Sequence, residues 1–439
     1  MWEAREAVIA ADILAKKRDG LELGAEEIRA IIAGFLDGTC SEAQMAAFLM
    51  ATALRGMTVR ESADLTLAMV SSGETLDLSA IPGTKVDKHS TGGVGDKTTL
   101  VVAPLVAALG VPVPKMSGRS LGHTGGTIDK LEVIPGLTTD LSPKRFRRQV
   151  AEIGVAIASQ SEAMVPADKK IYRLRDITAT VESVPLIASS VMSKKLAAGA
   201  DAIVLDVKAG RGAFMPDVRR ARDLGRTMVE IGRLAGKATV ALITRMDQPI
   251  GNAVGDAAEL AEAVATLSGQ GPLDFRRLCE IVAGHMLVLG GAAGDPNEGR
   301  ARARNALARG TGLPKLAEMV KAQGGSPEVL DDTDLLLQQA VRTPVRVAGR
   351  GYVAAVDARE IGLVVRDLKR AGAGRKQLCG VLLHRKVGDR CDGDTVATVL
   401  APEGLGDQAA AAAARVSSAF RLAGSRPRRP ALLAGVVTA

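Results

Sequence analysis

The sequence is poor in aromatic side chains. Phe, Trp and Tyr together make up 2% of its 439 residues, although 47% of the residues are apolar. Proteins that stack nucleic-acid bases rely on aromatic platforms, so this scarcity is a weak argument against nucleic-acid binding. The hydrophobic cores are therefore expected to be aliphatic, and a chain of this length is expected to form two or three domains.

Cysteines and long apolar runs are also scarce. The chain has 4 cysteines, which are Cys40, Cys279, Cys379 and Cys391. They lie far apart and form no C-x-x-C pair, so neither a zinc site nor a disulfide framework is expected. No apolar run is long enough to span a membrane, and the first residues lack the apolar core of a secretory signal. We therefore expect a cytoplasmic protein without a membrane or metal partner.

The common phosphate-binding motifs are missing as well. The P-loop needs a lysine directly after its second glycine, but Gly95 is followed by Asp96. No G-x-G-x-x-G motif follows Val86, so a dinucleotide-binding fold is not supported. The net charge of +8 is spread along the chain, which is typical of solvated surfaces and does not require a nucleic-acid partner.

Residues 88–97 nevertheless have the chemistry of an anion-binding loop. They read KHSTGGVGDK and combine lysines, hydroxyls, glycines and His89. Glycines allow the backbone N–H groups to approach a ligand closely. The apolar run 99–109 follows directly, and the N-terminus of a helix there would attract an anion. The segment predicts a phosphate-binding loop that contains an imidazole.

The pattern of apolar residues predicts three kinds of structure along the chain. Helical spacing recurs over 8–14, 28–36, 45–54 and 63–70, with capping boxes at Ser41 and Thr58. Strand-like runs at 86–87, 111–116, 202–207 and 240–244 alternate with helical ones at 218–234 and 257–267. Such alternation indicates a mostly parallel α/β sheet, whose ligands bind beyond the carboxyl ends of the strands. Short β-like runs follow residue 343.

We therefore predict an α/β protein with three parts. Residues 1–72 and 165–196 are expected to form a helical domain. Residues 80–160 and 197–335 are expected to form an α/β phosphate-binding domain with a mostly parallel sheet. Residues 343–439 are expected to form a small, strand-rich α+β domain.

Two further segments carry polar groups suited to a ligand. Residues 117–132 again combine glycines, hydroxyls, cations and an imidazole after a predicted strand. Ser190 and Lys194 are four residues apart, so they share one face of a helix. With Arg175, they could recognise the carbonyl and N–H groups of a planar polar ring.

These three segments (88–97, 117–132 and 174–195) closely resemble the pyrimidine-nucleoside and thymidine phosphorylases, and the resemblance extends over about residues 12–345. It implies reversible phosphorolysis, in which inorganic phosphate attacks the anomeric carbon of a pyrimidine (deoxy)nucleoside with inversion and the base leaves. Phosphate is then the co-substrate and no cofactor is needed. The resemblance also implies a cleft between a helical and an α/β domain, and a homodimer formed through the helical domain.

The resemblance assigns roles to matching positions. The residues expected to hold phosphate are Lys88, Ser90, Thr99, Ser117 and Thr127. The residues expected to hold the pyrimidine are His89, Arg175, Ser190 and Lys194, with Leu121, Val181, Ile187 and Phe214 as an apolar wall. His89, Arg175 and Lys194 would stabilise the negative charge that grows on the leaving base. Whether His89 transfers a proton or only forms a hydrogen bond stays open.

The sequence departs from the family at two positions. Ser120 stands where the family usually has glycine, which would cost energy if that residue needs a positive φ. Lys97 stands where some pyrimidine-nucleoside phosphorylases have a threonine that helps to bind potassium. The other positions of that ion site match Gly95, Ile250, Ala253 and Glu262. We hypothesise that the Lys97 ammonium replaces the ion and pairs with Glu262.

Three alternative functions stay open. The nearest is a strict thymidine phosphorylase, which Lys97 in place of the threonine slightly favours. A magnesium-dependent phosphoribosyltransferase would use similar glycine-rich loops but needs carboxylates to hold the metal. A non-catalytic nucleoside binder would bind ligand without releasing free base.

Overall fold

The computed structural model describes residues 10–120, 122–161 and 163–439. Its α-helices are α1 Ala10–Arg18, α2 Ala25–Asp37, α3 Glu42–Arg55, α4 Val59–Val70, α5 Thr98–Ala108, α6 Thr127–Leu131, α7 Pro143–Ile153, α8 Pro166–Ile177, α9 Val184–Ala197, α10 Val218–Leu234, α11 Asp256–Leu267, α12 Leu273–Leu289, α13 Pro296–Ala308, α14 Gly312–Ala322, α15 Ala358–Ala371 and α16 Gly406–Ser418. Its strands are β1 Val86–Ser90, β2 Val113–Ser117, β3 Val155–Ser159, β4 Ala202–Ala209, β5 Ala238–Arg245, β6 Ala253–Val254, β7 Ala340–Arg346, β8 Arg350–Val356, β9 Gly380–Leu383, β10 Arg390–Asp392, β11 Thr395–Pro402, β12 Phe420–Ala423 and β13 Leu433–Val437.

The N-terminal helices form a bundle, as predicted. Both capping boxes are present: the Ser41 hydroxyl accepts the N–H of Gln44, and the Thr58 hydroxyl accepts that of Glu61. Glu61 is buried and also accepts a hydrogen bond of 2.8 Å from Lys17, which ties α1 to α4. The predicted first helix begins at residue 8, which lies outside the described residues.

The bundle includes helices from a second stretch of the chain. α8 packs against α2, α3 and α4, and α9 packs against α3 and α4. Leu174 of α8 and Leu186 of α9 belong to the same buried apolar cluster as Phe48 of α3. This packing is what the two-segment helical domain requires, and the domain boundaries themselves stay predictions.

The α/β part contains a mostly parallel sheet, which confirms the predicted fold class. Strands β1, β4 and β5 run parallel, and β13 pairs antiparallel with β5 at the edge. β2 and β3 form a separate parallel pair beside them. The two glycine-containing loops begin at the carboxyl ends of β1 and β2, where the predicted sheet places a ligand.

The C-terminal part is rich in antiparallel strands, as predicted. Its two sheets have the orders β6-β9-β11-β7 and β10-β8-β12, and α15 and α16 pack beside them. α15 lies against the second glycine-containing loop, because a Cβ on Gly362 would come within 2.4 Å of the carbonyl oxygen of His123. The C-terminal part therefore supports the cleft from outside.

Several elements were not predicted from the sequence. These include α7, β3, and the three helices α12, α13 and α14. α12 packs against β1, β4 and β5, α13 packs against α12, and α14 packs against α5. The last strand, β13, joins the α/β sheet rather than the C-terminal sheets. Within the described residues, no helix combines the length and the hydropathy that crossing a membrane requires.

Candidate active site

One cleft of about 700 Å³ brings the three polar segments together. It lies where the loops after β1 and β2 face α8 and α9. The expected phosphate ligands that line it are Ser90, Thr99, Ser117 and Thr127. The expected pyrimidine ligands that line it are His89, Arg175, Ser190 and Lys194. Its volume falls within the range of about 300–1,000 Å³ that small-molecule sites have.

The part of the cleft where phosphate is expected, called the phosphate side below, is organised around Asp96. Ser90 donates a hydrogen bond of 2.5 Å to its carboxylate, and the N–H of Gly92 donates to the Ser90 hydroxyl at 3.3 Å. Burial opposes the charge of Asp96, but the ammoniums of Lys88 and Lys208 hold its pKa well below the usual value. The carboxylate is therefore ionised and fixes the Ser90 hydroxyl at the mouth of the loop. Thr99 lies in the first turn of α5, where the N–H of Thr98 donates to the Asp96 carboxylate at 3.2 Å and that of Leu100 donates to the carbonyl oxygen of Lys97 at 2.9 Å.

Lys88 lies behind the loop and not on the surface of the cleft. Its side chain is 3% exposed, and its Nζ lies 3.9 Å from Oδ2 of Asp206. That same oxygen is 2.6 Å from Nζ of Lys208. Lys88 Nζ has no hydrogen-bond acceptor among the described residues, so this buried ammonium retains the capacity to bind an anion.

The part of the cleft where the pyrimidine is expected, called the base side below, is built by α8 and α9. Lys194 donates hydrogen bonds to Ser190 at 2.9 Å and to Asp168 at 2.5 Å, which confirms that Ser190 and Lys194 share one helix face. Arg175 donates to the carbonyl oxygens of Val181 at 2.7 Å and Leu186 at 3.0 Å. These bonds fix the guanidinium, whose Nε has no acceptor in the part of the chain that the structure describes.

Sequence reasoning missed two neighbours of this set. Asp168 and Tyr172 also line the cleft, and the Arg175 guanidinium lies 5.5 Å from the centre of the Tyr172 ring. Residues 168, 172 and 175 have the i, i+4, i+7 spacing of one helix face, which could have identified them.

His89 is surrounded by cations. Burial, and after it the positive charge of the neighbouring lysines, lowers the pKa of its imidazole well below the usual value; these lysines are Lys195, Lys115, Lys88 and Lys194, and the effect of Lys115 applies when its amine is protonated. The imidazole is therefore neutral near pH 7, with one nitrogen that donates and one that accepts. A neutral imidazole that lines the cleft can donate a hydrogen bond to a carbonyl group, but it is not a charged acid.

Three further buried groups adjoin His89 and were not predicted. Lys195 donates to Asp87 and to the carbonyl oxygen of Met116, each at 2.8 Å. Lys115 donates to the same Met116 oxygen at 2.8 Å and lies 3.8 Å from Asp87. Lys115 and Lys195 line the cleft, and all three side chains are at most 3% exposed.

The predicted apolar wall is present in part. Val181, Ile187 and Phe214 line the cleft, while Leu121 lies outside the described residues. Phe214 packs beside the first loop, since a Cβ on Gly92 would meet its ring at 3.0 Å. This close approach explains why the loop needs glycine there.

The Lys97 ammonium lies among the groups that would otherwise surround an ion. Its Nζ donates to the carbonyl oxygens of Ile250 at 3.0 Å and Ala253 at 2.9 Å, and it pairs with Glu262. Gly95 has a φ of +72°, and a Cβ there would lie 2.7 Å from the Ile250 oxygen. Because the nitrogen takes up these ligands, the residues present do not fit a potassium ion beside Lys97.

Ser120 carries no backbone strain. Ala179 is the only non-glycine residue of the described chain with a positive φ, so Ser120 adopts an ordinary conformation. Its N–H donates to the carboxylate of Asp129 at 2.7 Å. Serine is therefore accommodated where the family usually has glycine.

Comparisons with known proteins agree with this geometry. Residues 82–313 match the family described as "Glycosyl transferase family, a/b domain", and residues 11–73 match its helical bundle domain. The pyrimidine-nucleoside phosphorylase of Geobacillus stearothermophilus is 48% identical over 88% of this chain and 91% of its own length. That of Bacillus subtilis (strain 168) is 49% identical over 89% and 91%.

A solved structure shares the fold at a lower sequence identity. Anthranilate phosphoribosyltransferase from Thermus thermophilus is 22% identical, with a TM-score of 0.58 over 71% of this chain and 99% of that one. At this identity the likeness concerns the fold alone. From the family match and the near-half identity to its curated relatives, we conclude that the chain belongs to the pyrimidine-nucleoside phosphorylase family, within the glycosyl transferases.

Proposed function

We propose that this protein catalyses the reversible phosphorolysis of pyrimidine (deoxy)nucleosides such as uridine and thymidine. Phosphate attacks the anomeric carbon, the bond to the base breaks, and the products are free base and (2-deoxy)-α-D-ribose 1-phosphate. The observation that carries this proposal is that one cleft joins an anion-binding loop to the polar set Arg175, Ser190 and Lys194. The near-half identity to pyrimidine-nucleoside phosphorylases supports it.

The phosphate side positions a nucleophile that needs no activation by a protein nucleophile. Ser117 and Thr127 offer hydroxyl donors, and the first turn of α5 offers the N–H of Thr99. Ser90 must turn its hydroxyl proton from Asp96 to the phosphate in order to donate to it. Lys88 adds a buried positive charge behind them. Holding phosphate beside the sugar replaces a bimolecular encounter with an oriented one, which accounts for part of the rate enhancement.

The base side stabilises the charge that develops as the base leaves. Arg175 and Lys194 are cations fixed by hydrogen bonds. The role that we propose for His89, whose imidazole is neutral, is to donate a hydrogen bond to the 2-carbonyl of the pyrimidine. These groups interact more strongly with a departing anion than with the neutral base, so they lower the barrier. The state of His89 favours hydrogen bonding over transfer of a proton from an imidazolium.

The experiment that tests the proposal is incubation with uridine or thymidine, with and without phosphate. We expect free base only when phosphate is present. Base release that does not depend on phosphate would indicate a hydrolase, and binding without release would indicate a non-catalytic nucleoside binder. Comparing the two nucleosides separates a broad pyrimidine enzyme from a strict thymidine phosphorylase.

Phosphoribosyl transfer has less support. A magnesium-dependent reaction needs a set of carboxylates, and the part of the chain that the structure describes has no group of three or more His, Cys, Asp or Glu arranged for a metal. The likeness to anthranilate phosphoribosyltransferase is one of fold. Loss of activity on chelation would revive this alternative.

We further propose that the protein acts as a homodimer in the cytoplasm. Exposed apolar side chains lie on α3 and α4, where Leu54 of α3 is 76% and Leu67 of α4 is 40% exposed. The four cysteines are free and buried, which is compatible with a reducing compartment.

A further inference from the structure

The cluster of Asp87, Lys115 and Lys195 is not explained by the roles assigned so far. Side chains alternate along a strand, so Asp87 and His89 share one face of β1, and Lys115 and Ser117 share one face of β2. On β1, the cluster therefore adjoins His89. On β2, it adjoins Ser117, which is an expected phosphate ligand.

The charges in this cluster do not balance. Two lysines share one carboxylate and one carbonyl oxygen, and all three side chains are at most 3% exposed. Lys195 makes the closer contact with Asp87, at 2.8 Å against 3.8 Å for Lys115. A buried charge without a partner is costly, so the group that is less well paired tends to lose its proton.

Lys115 is the group for which this cost is greatest. Burial lowers its pKa well below the ordinary value, and the ammoniums of Lys195 and Lys88 lower it further, against the attraction of Asp87. Among the described residues, the other elements packed against β2 do not compensate. β3 presents Ile157 as its register partner, α5 carries no charged residue, and the buried side chains of α7 are uncharged.

We propose that Lys115 is a positioning residue whose amine takes up a proton when dianionic phosphate enters the cleft. The inference rests on the proposed phosphate site. A dianion supplies the negative charge that the cluster lacks, and opposite charges within about 4–6 Å favour the charged form of an amine. The step converts a neutral amine and a solvent proton into an ammonium, and no bond to phosphate forms.

The protonation of Lys115 would couple phosphate binding to catalysis. Once protonated, Lys115 adds a positive charge beneath His89 while the pyrimidine departs as an anion. It also keeps the imidazole neutral, because a second charge beside a cluster of ammoniums is disfavoured. The additional cation would be present only when the nucleophile is bound.

The test is calorimetric titration of the full chain with sulfate, a dianion that does not itself titrate near neutral pH. Measuring the binding heat in two buffers of different ionisation enthalpy gives the number of protons taken up per sulfate bound. We expect uptake approaching one proton in the wild type and almost none in Lys115→Met or Lys115→Arg. Arginine stays protonated throughout, so Lys115→Arg should still bind sulfate.

Two control variants locate the proton. Lys17→Met removes an equally buried lysine that pairs with Glu61 in the helical bundle, and it should leave the uptake unchanged. His89→Asn should also leave it unchanged. Uptake that persists in Lys115→Met, or that disappears in His89→Asn, would overturn the proposal. Sulfate binding without any uptake would overturn it while leaving the phosphate site standing, whereas failure of both sulfate and phosphate to bind would overturn the site itself.

Discussion

At the scale of single residues, we assign each side chain to one side of the cleft, and Arg175 is assigned to the base side. Its hydrogen bonds to Val181 and Leu186 fix the guanidinium at the base side. Hydrogen bonds to charged groups contribute about 1.5–3 kcal/mol, which corresponds to roughly 10- to 100-fold in kcat/KM. We expect Arg175→Met to lose that much kcat/KM for the nucleoside, as measured by base release.

The KM for phosphate is the control for this variant. It should change little, because Arg175 does not belong to the phosphate side. Arg173 also lines the cleft, so Arg173→Met is a matched control that removes a neighbouring arginine. An equal loss in both variants would mean that general charge, and not the fixed guanidinium, recognises the base.

Lys97 yields a prediction about monovalent cations. Because its ammonium takes the ligands Ile250, Ala253 and Glu262, wild-type activity should be the same in potassium, sodium and choline salts of equal ionic strength. Lys97→Thr removes the ammonium and restores a hydroxyl, so its activity and thermal stability should increase with potassium. Marked potassium dependence of the wild type would contradict our account of Lys97.

At the scale of the element, strand β1 carries residues proposed for phosphate binding on one face and His89, proposed for base binding, on the other. Alternation places Lys88 and Ser90 on one face and Asp87 and His89 on the other. We expect Lys88→Met to raise the KM for phosphate at least about tenfold, and His89→Gln to lower kcat with a smaller change in that KM. Steady-state kinetics with phosphate as the varied substrate measures both effects.

The same elements show what local sequence can predict. The helical period of 218–234 matches α10 from its first residue to its last, and the capping boxes at Ser41 and Thr58 mark the starts of α3 and α4. These features are local: spacing and caps are contained within a few turns of chain. The glycine-containing loops were recognisable for the same reason.

The features that could not be predicted from the sequence are contacts between residues that lie far apart in the chain. Asp87, Lys115 and Lys195 come from three elements, and no local pattern indicates that two lysines share one carboxylate. Likewise, nothing in residues 433–437 indicates that β13 joins the α/β sheet rather than the neighbouring antiparallel sheets. The position of Lys88 behind the loop also depends on Asp206, which is far away in the sequence.

At the scale of the whole molecule, the exposed apolar residues of the helical bundle predict an interface. Leu54 on α3 is 76% exposed, and a charge at an apolar interface is unfavourable. We expect Leu54→Glu to convert a dimer to a monomer in light scattering coupled to size exclusion. Leu273→Glu is the matched control, since Leu273 is 54% exposed at the start of α12 in the α/β part, and it should leave the dimer intact.

The central claim is that phosphate bound on one side of the cleft directly attacks the sugar of a nucleoside bound on the other. The most direct test is to identify the sugar product by ³¹P and ¹H NMR during turnover of uridine or thymidine with phosphate. Our account predicts the α-anomer of (2-deoxy)ribose 1-phosphate in amounts equal to the free base. The β-anomer, or free sugar without phosphate, would contradict it.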